Sequence, residues 1–276
     1  MRRLYSALKY VCIVALVISL IALVAVVAYV LINGVDKLSL DLLFGDYKDT
    51  PSILPAFIGT LQLVSIAAII AVPIGVASAI FLVEYTNNKG KFVKIVQVAT
   101  ETLAGIPSIV YGLFGYLIFV VTFGWGYSML AGGITLAIMI LPTIVRSTQE
   151  SLLSVQGGLR EGAYALGASK VRTIFKIVLP SAAGGIVTAI ILAIGRVVSE
   201  SAVLILTIGM VVNKVPETLM APGTSLALDI YYFASHGYPD EAAATAVVLL
   251  VFVMILNLLA GFIGNLIRKS TCGDAK

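Results

Sequence analysis

From Val11 to Ile32 the chain carries no charged residue. As a helix that run is roughly 33 Å long at 1.5 Å per residue, enough to cross the hydrocarbon core of a bilayer. Five more apolar runs follow: Thr60 to Val83, Leu103 to Phe123, Ala131 to Val145, Gly185 to Leu206 and Ala242 to Ile267. Lipid offers a backbone no hydrogen-bonding partner, so runs of this length resolve as helices. The expectation is an all-α membrane protein with six transmembrane helices. Composition agrees: 60% of residues are hydrophobic and 12% charged, with mean hydropathy +1.07. A soluble domain cannot bury that much apolar surface. The first run is too long for the core of a cleaved signal peptide and has no small-x-small cleavage site, so it reads as a retained helix. Two cysteines, Cys12 and Cys272, are too poorly placed for a disulfide framework or a metal site. His236, the only histidine, stands beside Gly237 in loop sequence and reads as a surface polar residue.

Charge orients the spans. Fourteen of the 18 Lys and Arg residues fall in the N-terminus, the 84–101 loop, the 146–181 loop and the tail after 267, and Lys37, Lys48 and Lys214 are alone in the alternate loops. The positive-inside rule then puts both termini and the 146–181 loop in the cytoplasm, and the acidic 33–59 and 207–241 loops outside. The net charge of +4 follows this loop pattern and does not point to nucleic acid.

The 146–181 loop holds the longest polar and basic island of the second half, Glu161 to Pro180. Leu159, Ala163 and Leu166 form a short apolar stripe at helical spacing. Gly167 stands where a residue with φ > 0 would end that helix, and Ser169 is placed to cap a second one. In the second, Val171, Ile174, Phe175 and Val178 form an apolar face against Lys170, Arg172 and Lys176. Pro180, without an N–H, fits a helix boundary or a first turn. Glu161-Gly162-Ala163, Gly167 and Ile177-Val178-Leu179-Pro180 resemble the EAA loop of ABC-importer permeases, E-A-A-x3-G-x9-I-x-L-P, with Gly162 in place of the middle alanine.

Two further stretches carry a related resemblance. Residues 104–115, AGIPSIVYGLFG, are similar to a signature of phosphate-importer permeases. Here Pro107 suits an early helical turn, and Gly112 and Gly115 allow close helix contact. In the fifth run, Arg196 and Glu200 are four residues apart, so a continuous helix would put them on one face within the membrane. Ionisable groups there face a bundle interior or a water-filled cavity. The guanidinium is a planar fork suited to a tetrahedral oxyanion; Glu200 would hold it in place or compete for it, and Ser199 and Ser201 add hydroxyls. Arg196 to Leu204 resembles the R-A-x-G-E-T-A-P-L run of PstA-type permeases, with Ser199, Ser201 and Val203 replacing the glycine, threonine and proline.

The resemblance covers about Thr60 to Arg268 and implies a type I ABC importer, MetI-like permease fold. It divides the chain into residues 1–59 (first helix and outer loop), 60–268 (permease domain with coupling loop 146–181) and a cytoplasmic tail, 269–276. It implies a cell-membrane subunit of a phosphate importer that pairs with a second, PstC-like permease and couples to a PstB-like ATPase dimer through Glu161, Gly162, Ala163, Leu166, Gly167, Ile177, Leu179 and Pro180. A PstS-like extracytoplasmic protein would deliver phosphate to Arg196, Glu200, Ser199 and Ser201. No cofactor or metal is expected on this chain, and ATP and Mg would be used by the partner ATPase: Gly162 and Gly167 have phosphate-loop spacing, but Ala168 stands where the lysine is required. The alternatives are a permease for sulfate, molybdate or tungstate, or an ion-coupled carrier, which would show inverted repeats and more intramembrane carboxylates.

The small-residue stripe Ala67, Ala71, Gly75 and Ala79 is expected to serve packing within the chain, and Pro73 to bend its helix.

Overall fold

A computed structural model describes residues 2–45, 47, 51–86 and 90–272, with the side chains of these apart from 2–8, 92 and 268–272. Asp46, Lys48, Asp49, Lys89 and Lys276, which enter the charge argument, lie outside the described residues, as do the side chains of Arg2, Arg3, Arg268, Lys269 and Cys272.

Every regular element among the described residues is helical. Helix α1 is Arg2–Gly34, followed by a 3-10 turn and a short α2, Leu40–Phe44, which Ser39 caps by accepting from the Leu42 N–H at 3.1 Å. Helix α3, Leu54–Ile80, starts a turn and a half earlier than the apolar run because Pro55 is preorganised for a first helical turn. It ends in a π-helical turn, Phe81–Tyr85. Helices α4, Lys91–Ala104, and α5, Ser108–Gly115 with its π-helical extension Tyr116–Thr122, meet at 97°. Helix α6 is Met129–Leu153 and α7 is Gly157–Ala165. Helix α8, Lys170–Thr173, passes through a π-helical turn, Ile174–Val178, directly into α9, Leu179–Val198. Short α10, Ala202–Thr207, and α11, Leu226–Ser235, precede the long α12, Pro239–Cys272. Counting the bent α4–α5 pair as one crossing, six spans are long and apolar enough for a membrane among the described residues.

Helix α6 is the centre of the bundle. It packs against α3, α9, α5, α4 and α10, and its buried face carries Leu136, Ile140 and Ile144. The α3 stripe of Ala67, Ala71, Gly75 and Ala79 is buried within the chain, and a Cβ on Gly75 would lie 2.7 Å from Ile144 Cγ2. Pro73 sits in a helix that runs unbroken through it. The N-terminal N–H groups of α6 are satisfied by the chain that follows α10: Met129 N–H donates to Ala221 C=O at 3.0 Å and Leu130 N–H to Leu219 C=O at 2.8 Å. Helix α1 packs along α12 and keeps the rest of its apolar surface outward, as a lipid-facing helix does.

Several expected boundaries move. The third crossing is the bent pair Val93–Ala104 and Ser108–Thr122, not one run from Leu103 to Phe123; the path breaks before Pro107, which disfavours a helical conformation in the residue ahead of it. The fourth extends beyond Ala131 to Val145 at both ends. The fifth begins at Lys170 instead of Gly185 and stops at Val198 instead of Leu206. Pro180 stands in the first turn of α9, as expected, although the π-helical turn before it joins α9 to α8 without a loop. Helix α12 runs past 268 to Cys272, through the start of the expected tail. The 207–240 connection is not all turns; it contains α11.

Candidate functional site

At one end of the bundle, α7 stands apart as a separate short helix. Its C-terminus closes in a Schellman turn: Gly167 N–H donates to Tyr164 C=O at 2.9 Å and Ala168 N–H to Ala163 C=O at 3.0 Å. Gly167 has φ +78°, the left-handed conformation that this turn requires and that side chains disfavour. Ser169 caps α8, accepting from Arg172 N–H at 3.4 Å. Both local expectations hold. The expected apolar stripe is split: Ala163 is buried, whereas Leu159 is exposed and Leu166 is 90% exposed, the most prominent large apolar side chain of this end. Glu161 and Gly162 are exposed beside them. On the following helix Ile174 and Val178 are buried, but Val171 and Phe175 face out. Ile177, Leu179 and Pro180 are half-buried in the first turns of the fifth span.

Arg196 is in the last turn of α9, where the carbonyl end of the helix favours a cation. It lies twenty residues beyond Lys176, about 30 Å along the helix axis, one hydrocarbon thickness away. Arg196 thus sits two residues before the end of its span. The expected Arg196–Glu200 pair does not form. The helix ends at Val198, and the Glu200 carboxylate turns to the backbone, accepting from the Ala202 N–H at 3.0 Å and the Val203 N–H at 3.4 Å. Those N–H groups begin α10 and would otherwise be unsatisfied. Glu200 is therefore a cap, which leaves the exposed guanidinium of Arg196 free of any ion pair among the described residues. Ser199 turns back on its own helix, donating to Gly195 C=O at 3.0 Å. Ser201 occupies the N-cap position of α10 without a side-chain capping bond.

The two remote signature segments meet at this break. A Cβ on Gly112 would lie 3.0 Å from Val203 Cα and 3.2 Å from Ala202 C=O, so α5 and α10 touch backbone to backbone. One turn further along α5, a Cβ on Gly115 would overlap the Thr135 side chain of α6. Tyr111 donates to Leu103 C=O at 2.8 Å across the 97° bend, closing the end of α4. Arg196 is within electrostatic range of that phenol. Residues 104–115 thus build an elbow whose inner face supports the α9–α10 break.

Three polar residues had escaped notice. Arg160 of α7 and Glu84 of the π-helical turn after α3 pair at 2.9 Å, and Glu84 is only 6% exposed. The signal was faint: Arg160 directly precedes the EAA-like run, and Glu84 ends an apolar one. Asp229 of α11 is fully buried; Thr224 donates to its Oδ1, and its Oδ2 has no partner among the described residues. Burial pushes this carboxyl up to about 8, and the Thr224 hydrogen bond opposes part of that rise. The signal here was Ser225, an N-cap residue that accepts from Leu228 N–H at 3.2 Å and starts α11. His236, stacked on Tyr232 at 4.1 Å, is exposed as expected.

These features can be set beside known proteins. The fold is similar to a bacterial alginate ABC transporter in complex with an alginate pentasaccharide-bound periplasmic protein (TM-score 0.71, 17% identity, 95% of each chain). It is also similar to an inward-facing MetNI methionine ABC transporter (TM-score 0.63, 20% identity, 76% of this chain and 93% of that one). In sequence, the probable ABC transporter permease YqgI of Bacillus subtilis (strain 168) is 32% identical over 261 residues, 88% of each chain. The phosphate transport system permease protein PstA of Mycobacterium leprae (strain TN) is 42% identical over 208 residues, 74% of this chain and 67% of that protein. PstA 1 of Mycobacterium tuberculosis (strain ATCC 25618 / H37Rv) is 36% identical over 213 residues, 75% of this chain and 68% of that protein. The model of the binding-protein-dependent transport system inner membrane component family matches residues 71–271, from mid-α3 to the end of α12 and so across α7, the elbow and the α9–α10 break; the chain belongs to that family.

Proposed function

We propose that this chain is the membrane-spanning permease subunit of an ATP-driven importer of inorganic phosphate. It forms half of the translocation pathway with a second permease, and a binding protein delivers the anion from outside. Two ATPase subunits, which use the ATP and Mg, dock at α7 on the cytoplasmic side, where both termini also lie. The observation that carries the reading is the meeting of the two phosphate-permease-like segments, Gly112 against Val203, beside an unpaired Arg196. A guanidinium without a carboxylate partner keeps its fork of donors for a tetrahedral oxyanion. Because Glu200 is engaged in capping α10, it positions the break and does not compete for Arg196. The PstA relatives support phosphate over other oxyanions. Leu159, Glu161 and Leu166, exposed on α7, fit a helix-in-groove contact with the ATPase.

The test is radiolabelled phosphate uptake by membrane vesicles that hold the complete complex, with sulfate and molybdate as competitors. Arg196→Ala is expected to abolish uptake while the complex still co-purifies, and Arg196→Lys to restore little, since an ammonium cannot bind bidentately. Unchanged uptake by Arg196→Ala removes the anion site; sulfate or molybdate competing as well as phosphate transfers the reading to another oxyanion.

A further inference from the structure

We infer that Arg160 and Glu84 are positioning residues: a buried joint through which movement of α7 reaches α3. This inference rests on the reading of α7 as the ATPase-docking helix.

The geometry is a four-way junction. Arg160 donates through Nε and Nη2 to Glu84 Oε1, at 3.2 and 2.9 Å. Nη1 donates to Val155 C=O and Nη2 also to Leu152 C=O, both at 2.9 Å. Through these four bonds one guanidinium joins three separate pieces of chain: α7, the last turn of α6 with Val155 two residues beyond it, and the π-helical turn that ends α3. The side chains are only 20% and 6% exposed. The backbone of α7 packs mainly on α8 and the π-helical turn that follows, so Arg160 is its reach toward α3. A second link runs to the same turn, since Lys170 Nζ lies 4.9 Å over the Tyr85 ring. Glu84 and Tyr85 together form the receiving end of α3.

Stability alone does not call for such a pair. A buried ion pair is often replaced by apolar residues with no loss of stability. What it supplies is direction: a planar fork fixed by four hydrogen bonds to three acceptors on two neighbours cannot slide, whereas apolar side chains in the same space can. Glu84 and the two carbonyls must follow the guanidinium when α7 is displaced, and α3 carries that motion along its buried stripe into α6.

The experiment uses the complete complex in liposomes with the phosphate-loaded binding protein. The readouts are co-purification of the ATPase, basal hydrolysis, its stimulation by the binding protein, and phosphate imported per ATP. Arg160→Lys and Glu84→Gln are expected to keep the ATPase bound and its basal hydrolysis, while stimulation and phosphate per ATP fall by about tenfold, within the usual range of coupling between sites. The double variant Arg160→Met with Glu84→Leu restores buried packing without the directed bonds. It is expected to match the parent in thermal stability and to stay uncoupled. A double variant that imports phosphate with the parent's stoichiometry overturns this inference and leaves the docking reading standing. A parent complex with no binding-protein stimulation overturns the docking reading and this inference with it.

Discussion

Gly59 is the place where the structure sets the size of a single perturbation. A Cβ added there would overlap the backbone oxygen of Thr224 and lie 3.6 Å from Met129 Cε. Ordinary carbon contacts begin at about 3.5 Å, so Gly59→Ala must push the chain at Thr224 away by roughly 1 Å. That chain is not free to go. Thr224, Ser225 and Leu226 are buried, Leu226 N–H donates to Thr60 Oγ1 at 3.0 Å, and the Thr224 side chain is tied to Asp229. Overpacking of a tight core costs about 1–3 kcal/mol, and stretching the Leu226–Thr60 bond beyond useful length adds about 1 kcal/mol. The sum, about 2–4 kcal/mol, corresponds to a melting temperature lowered by roughly 5–15 °C for a chain of this size. Thermal unfolding of the detergent-purified protein measures it. Gly158→Ala is the matched control, because a Cβ there meets nothing within 4 Å; it should leave stability unchanged or raise it slightly. A double cycle with Thr60→Val should give less than the sum of the single losses, since both changes act on the same segment. Gly59→Ala melting at or above the parent would refute the reasoning.

Two further outcomes follow from local geometry. Asp229 has its carboxyl raised from 3.8 to about 8 by burial in α11, so the folded chain keeps a proton that the unfolded chain releases. Its stabilising contribution is full below about pH 4 and is lost as pH rises toward 8; the parent should lose melting temperature across that window relative to Asp229→Asn, and a pH-independent difference between the two refutes the assignment. At Gly167, φ +78° with open space around the missing Cβ makes the cost purely one of backbone, about 1–2 kcal/mol for alanine. Uptake should fall in the order Gly167, Asn, Ala, Pro, because asparagine tolerates the left-handed turn and proline cannot adopt it; equal uptake by Gly167→Pro would show that the turn is dispensable.

What was legible in the sequence was mostly local. Gly167 and Ser169 act through neighbours within one or two helical turns, so residue type and spacing suffice to place them; the α3 stripe shows in its four-residue spacing, although the helix it packs on, α6, lies far along the chain. The break after Val198 was not legible, because the apolar run continues to Leu206 and only the orientation of one carboxylate ends the helix. Glu200 had two candidate partners, a guanidinium one turn back and the free N–H groups ahead. The backbone won, as short-range side-chain bonding to main chain often does. Pro107 was expected in an early turn of one continuous span; it stands instead at the break between α4 and α5, which Tyr111 bridges by reaching back to Leu103. Asp229 was read with the charged residues of an outer loop. Its burial depends on Thr60 and Thr224, brought together from segments more than 160 residues apart. Arg160 and Glu84 likewise became partners only when α3 and α7 were placed in space.

The continuity of the fifth span bears most directly on mechanism. Lys170 to Val198 is one helical path of 29 residues, about 43 Å long, that begins two residues after the glycine turn closing α7 and ends two residues after Arg196. A separate short helix followed by a new span would have put a loop between the docking end and the guanidinium, and a loop absorbs motion. A continuous rod delivers it. Tilting a rod of about 43 Å by about 5° moves its tip by nearly 4 Å, more than the length of a hydrogen bond. Arg196 rides on that tip, while Glu200, beyond the break, stays bonded to α10, which the elbow at Gly112 holds against α5. Under the proposed function, the break is the point where a moving helix would meet a braced one. An anion held by the guanidinium would be carried relative to the α10 side of the site, and the direction of that displacement would be set at the other end, where α7 and the turn at Gly167 feed into the same rod.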